Sequence, residues 1–180
     1  HASQGLELAR KVGGPAFTAF LQAQLGWVAA ARGDLEEVGR RTEELELLIR
    51  DTGSRGIWKE TLLLRAFLAM ETDRERLPGL LGEAFGLARR SHGLAPYLWH
   101  RPLLTRLCAE ALEAGIETDY VRDLIRRFRL EADPSLAEYE AWPRPLRIYV
   151  LGSLRILRDG EAVRFTGKAQ KRPLELLTAL

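Results

Sequence analysis

Leu35, Val38, Thr42, Leu45 and Ile49 recur at the three- and four-residue spacing of one helical face, and similar stripes fill most of the chain. Phe17, Phe20, Leu21, Leu25 and Val28 form an earlier stripe. Ile57 to Met70 predicts a third helix, apolar almost all round, as expected of a helix packed on both sides. Leu77, Leu80, Leu81, Ala84, Leu87 and Ala88 give a fourth, with Pro78 in its first turn. Leu104, Leu107, Cys108, Ala111 and Leu112 give a fifth, and Val121, Leu124, Ile125 and Phe128 a last short one. The punctuation between them is also readable. Gly33-Asp34 ends one helix and caps the next, with Asp34 and Glu37 spaced as a capping box. Thr52-Gly53, His92-Gly93 and Gly115 are stops; Thr72 with Glu75, and Thr118 or Asp119, are starts. Ala95 to Pro102 reads as a loop or a proline-bounded helix.

The period changes near the C-terminal end. Leu146, Ile148 and Val150 alternate with Arg147 and Tyr149, and Leu154 and Ile156 repeat the pattern. Asp159-Gly160 is a hairpin dipeptide, and Ala162 to Phe165 predicts a third strand. Pro173, Leu176, Leu177 and Leu180 then return to helical spacing. Strand, strand, strand, helix over some 35 residues is below the size that normally folds alone, so this stretch is expected to be the front of a larger domain.

The helices repeat. Leu45 to Arg50 follows Leu6 to Lys11 by 39 positions, and Thr72-Asp73 follows Gly33-Asp34 by the same interval. A helix pair recurring at such a period marks an α-solenoid. Leu25-Gly26, with Ala29 and Gly33, looks like the first helix of a tetratricopeptide repeat, although Arg65 stands where the second copy would have its glycine. The opening LELARKVGG reads as the end of a second helix without its first, so self-association through an uncovered face is expected.

From Trp142 onward, RIYVLGSLRI, Asp159-Gly160 and FTGKAQKRPLELL resemble the opening of the OmpR-like winged-helix domain of bacterial transcriptional activators. The helices before it are similar to the tetratricopeptide-like arm of MalT-like (LuxR-type, ATP-dependent) regulators. The resemblance implies a mainly α protein: a helical-repeat domain over 1–131, a proline-containing linker over 132–145, and the first part of a winged helix over 146–180. It implies an arm that receives an inducer or protein signal and an end that binds promoter DNA. The helix that would read bases falls beyond Leu180, and the ATP-binding module would lie upstream of His1. Trp142, between prolines, is expected to anchor the sheet against the array.

Composition narrows the alternatives. The hydrophobic share of 46% and charged share of 29% are those of ordinary globular proteins. No apolar run approaches the ~20 residues of a membrane helix, and no leader-like segment opens the chain, so a cytoplasmic setting is expected. The net charge of +2 divides unevenly: from Pro143 onward there are 8 Lys and Arg against 3 Asp and Glu. A basic end on a slightly acidic body suits nucleic-acid binding, and equally suits a small Arg-rich surface.

Chemistry that would mark an enzyme is missing from the pattern. Gly160 to Lys168 has six residues between its glycines and Ala169 after the lysine, so it is no P-loop. His92 and His100 lack a metal-ligand spacing, and Cys108 falls in an apolar stripe. No cofactor or metal is therefore expected in this chain. Lys168, Lys171 and Arg172 would either touch DNA phosphates or form a solvated loop. Trp58, Tyr97 and Trp99 would either line a groove for a ligand or peptide or pack in the core. The Arg122, Arg126, Arg127 and Arg129 face is read as solvated. The competing expectation is a tetratricopeptide-like scaffold that binds a peptide or protein and has no DNA role.

Overall fold

The structure, a computed structural model, describes residues 14–53, 55–91, 101–132, 141–144, 146–150, 155–158 and 161–163, together with Gln4, Glu7 and Leu8. The described chain is mainly helical and is followed by a small antiparallel sheet. Its helices are α1 (Pro15–Arg32), α2 (Leu35–Thr52), α3 (Arg55–Thr72), α4 (Leu77–Arg90), α5 (Arg101–Glu113) and α6 (Thr118–Phe128). The strands are β1 (Leu146–Tyr149), β2 (Arg155–Arg158) and β3 (Glu161–Ala162). Two compact units divide at Ala141/Trp142, inside the proline-containing stretch, and each is described by itself.

Helix ends follow from local chemistry. Gly33, at φ 73°, turns the chain out of α1, and the Gly33 and Asp34 amides bond back to the Ala30 and Ala29 carbonyls. The Asp34 carboxylate then accepts from the Glu37 amide at 3.1 Å, capping α2. Only half of the capping box forms, because the Glu37 side chain is taken by Arg40 and Arg41. Gly53, at φ 62°, closes α2. Thr72 is not a cap. It is the last residue of α3, and its hydroxyl donates to the Leu68 carbonyl at 2.8 Å. Arg76 precedes α4 instead, without a side-chain cap, and Pro78 occupies the first turn. That helix ends at Arg90, ahead of the expected stop. Neither Thr118 nor Asp119 caps α6; Glu117 holds that position with a left-handed backbone, at φ 42°.

Two-residue connections fold α1 onto α2 and α2 onto α3 as antiparallel neighbours. α1 also touches α3, α3 touches α5, and α4 touches α6, so consecutive pairs stack on one another. The core runs along α3, where Leu62, Leu63, Leu64, Ala66 and Phe67 are buried together. Val38, Thr42 and Leu45 of α2, and Leu81, Ala84 and Phe85 of α4, are buried too. Leu104, Leu107 and Cys108 of α5 are buried, as are Val121, Leu124 and Ile125 of α6. Burial pushes the Cys108 thiol well above its ordinary value, as suits an inert core residue.

α1 departs from its sequence reading. The expected stripe of large residues is not the buried one: Phe17 is 54% and Val28 43% exposed. The buried face carries Thr18, Ala19, Gln22, Ala23, Gly26, Trp27, Ala29 and Ala30. Small residues win because they let the axes approach. A Cβ on Gly26 would lie 2.8 Å from Leu64 Cδ1.

In the second unit β1 pairs with β2 and β2 with β3, all antiparallel. Ile148 stands opposite Ile156 and Leu157 opposite Ala162. β3 is shorter than expected and begins one residue earlier; the Val163 amide still bonds to the Ile156 carbonyl at 2.8 Å. Leu146, Ile148 and Val150 share a face and are 50%, 39% and 44% exposed. On the other face the Arg155 guanidinium stacks on the Tyr149 ring at 5.2 Å. Arg147 donates to the Trp142 carbonyl at 3.0 Å, and Trp142 is buried. The Asp159-Gly160 turn and the helix expected from Pro173 to Leu180 lie outside the described residues.

Candidate functional site

Trp58, expected either to line a groove or to pack in the core, sits half-buried on α3. Its indole N–H donates to Glu83 of α4 at 3.2 Å, a tie between neighbouring helices. Tyr97 and Trp99, its expected companions, lie outside the described residues, as do Lys168, Lys171 and Arg172. On α6, Arg122 faces Asp119 at 3.6 Å and Arg127 stacks on Phe128 at 5.7 Å. Arg126 and Arg127 lie in the last turn, where the helix dipole favours cations.

Two polar contacts hold α1 in register. Gln22, fully buried, donates to Glu44 and accepts from Arg41, both on α2. Arg40 binds Glu37 at 2.6 Å and also pairs with Glu44. The Arg40 hydrogen bond, with help from Arg41, holds the Glu37 carboxyl down at about 2. The second contact reaches α3: the Trp27 indole N–H donates to Glu60 at 2.8 Å. Burial pushes Glu60 up to about 7, although that hydrogen bond and the neighbouring Lys59 favour its charged form. Burial also lowers Lys59, whose ammonium caps the end of α4 by donating to the Ser91 carbonyl at 3.4 Å.

Cavities line the helical unit. One of about 340 Å³ opens between α2, α3 and the start of α4, with Glu43, Glu46, Arg65, Asp73 and Arg76 around it. Its three carboxylates slightly outweigh its two guanidiniums, and Arg65 is paired with Glu46 at 3.0 Å. Another, of about 430 Å³, is lined by Arg101, Pro102, Thr105, Arg106, Arg129, Glu131 and Ala132. Here three guanidiniums meet one carboxylate. Arg106 is shared with Glu71 at 2.5 Å and lies over the Phe67 ring at 5.9 Å. Among the described residues neither Arg101 nor Arg129 has an ion-pair partner. This cluster went unseen in the sequence because its members come from both ends of the α5–α6 hairpin. Its one local signal is Arg129, which closes α6 with a left-handed backbone at φ 48°.

Among the described residues no group of three or more His, Cys, Asp or Glu side chains gathers to hold a metal ion. None of the described helices is long and apolar enough to cross a membrane. Comparison with known proteins gives no match: no family model, no curated protein and no solved structure aligns significantly with the chain.

Proposed function

We propose that this chain is part of a bacterial transcriptional regulator, working in the cytoplasm. Its stacked helix pairs would receive a signal, and its C-terminal unit would be the front of a winged helix that binds promoter DNA. The observation that carries the reading is the order of parts. A stack of helix pairs is followed by a separate unit that opens with a three-stranded antiparallel meander. That unit is Arg-rich, with Arg147, Arg155 and Arg158 on its strands. On this reading the base-reading helix is supplied by residues beyond Leu180, and the visible sheet contributes architecture and positive charge.

Fluorescence anisotropy over a salt series tests it, with this chain measured beside one carrying whatever coding sequence follows Leu180. The regulator reading expects the longer chain to bind duplex DNA with affinity falling steeply as salt rises. Failure of both chains to bind at low salt would remove the DNA role.

A second reading, a scaffold for a peptide or protein, draws on a different observation. α1 carries no charged residue before Arg32, yet its Phe17 and Val28 face solvent. An uncharged helix with a wet apolar face fits a partner helix laid against it.

A further inference from the structure

We infer that the arginine cavity between α5 and the end of α6 is a binding site for a small phosphomonoester. Arg101, Arg106 and Arg129 surround a space of about 430 Å³, within the usual range for small-molecule pockets. One carboxylate, Glu131, shares the lining, so three positive charges meet one negative. Arg106 already serves Glu71. Arg101 and Arg129 have no ion-pair partner among the described residues.

One of these two arginines occupies a position that its surroundings disfavour. Arg129 adopts a left-handed backbone, a conformation suited to glycine. Such a breach of local preference at a cavity is a signature of a site kept for binding. A bound anion would supply counter-charge to the guanidiniums.

The free charge sets the ligand class. Two guanidinium forks without an ion-pair partner among the described residues match a group of about −2 with several acceptor oxygens, which a phosphomonoester carries near neutral pH. The buried Thr105 and the apolar edges of Pro102 and Ala132 leave room for a short, weakly polar body. The inference rests on the regulator reading only in calling such a ligand an inducer; binding itself requires no DNA.

Isothermal titration calorimetry of the whole chain at constant ionic strength provides the test, with glycerol 3-phosphate, succinate and glycerol as probes. Glycerol 3-phosphate should saturate the protein, succinate should bind more weakly, and glycerol should not bind. Arg101→Gln and Arg129→Gly should each weaken phosphate binding by about tenfold or more, the loss of a charge-assisted contact. Arg122→Gln, which alters α6 away from the cavity lining, should leave binding unchanged. Arg129→Gly should melt no lower than the parent, since glycine relieves the left-handed backbone; Arg129→Asn serves as a second variant if it does not fold. Three outcomes overturn the site: no saturation below about 10 mM, equal binding by the arginine variants, or succinate binding as tightly as the phosphate. A DNA-binding failure with phosphate binding intact would sink the regulator reading and spare the cavity.

Discussion

α1 and α3 are the same length and lie against each other, yet they are buried by opposite rules. α3 buries large residues along most of its length, with Leu62, Leu63 and Leu64 wholly inaccessible. α1 buries a run of small residues together with Gln22 and Trp27, and turns Phe17 and Val28 outward. The lesson is that apolar size does not decide which face is buried. A helix with neighbours on both sides needs bulk to fill the space. A helix pressed closely onto one neighbour needs to be thin on that side, and the hydrophobic effect is satisfied by the partner's bulk rather than its own.

The sharpest way to break this contrast is to remove bulk from each helix in turn. Leu64→Ala should lose about 2–5 kcal/mol, because it deletes a buried side chain against which α1 closes. Val28→Ala should stay within about 0.5 kcal/mol. Urea denaturation of both variants reads the difference directly, and similar losses would show that α1 is covered on its outer face in solution.

Next in size is the charge at the junction of the two helices. Glu60 is held near 7 when folded against an ordinary value of 4.5. The folded state therefore binds the proton more tightly, and this group favours folding most below pH 4.5. Its contribution falls between pH 4.5 and 7 and is level above that, a change of up to roughly 3 kcal/mol before relaxation. Glu37 acts in the opposite sense and lower down: its stabilisation is present above pH 4.5 and is lost as pH falls toward 2. Melting curves from pH 4.5 to 8 should show Glu60→Gln flattening the slope while keeping an acceptor for Trp27. An unchanged slope would mean that the carboxyl is open to water.

The smallest expected effect tests close approach itself. Gly26→Val should destabilise by about 2 kcal/mol through overpacking against Leu64. The double variant with Leu64→Ala should lose less than the sum of the two single changes, since the new methyls enter the space that Leu64 vacates. Additive losses would place the strain elsewhere.

Much of this architecture is legible along the chain, and the exceptions have a common physical origin. The α5 stripe is wholly buried and those of α2 and α4 partly so, while α4 also buries Phe85, which its expected stripe left out. Asp34 caps because a short acceptor at that position reaches an amide of the next turn whatever the tertiary context. Thr72 fails as a cap because its hydroxyl has a nearer acceptor in its own helix. α1 is misread because Ala19, Ala23, Gly26 and Ala30 carry little apolar weight, although they form the contact. The arginine cavity is illegible because nothing local joins Arg101 to Arg129. Only the antiparallel return of α6 along α5 brings them to one place. Trp58 reads in the sequence as either a groove or a core residue, and in the fold it is half-buried and bonded to Glu83.

The way the helices stack has a consequence for time as well as for stability. Each helix mainly touches those one or two places along the chain, so few contacts must wait for distant segments to meet. Such local wiring belongs to fast folders, and it lets one end loosen while the rest holds. α3, covered by neighbours on several sides, should then keep its amide protons longest in heavy water. α1 and α6 should exchange earlier, as the ends at which a partner or an adjoining domain could alter the molecule without unfolding it.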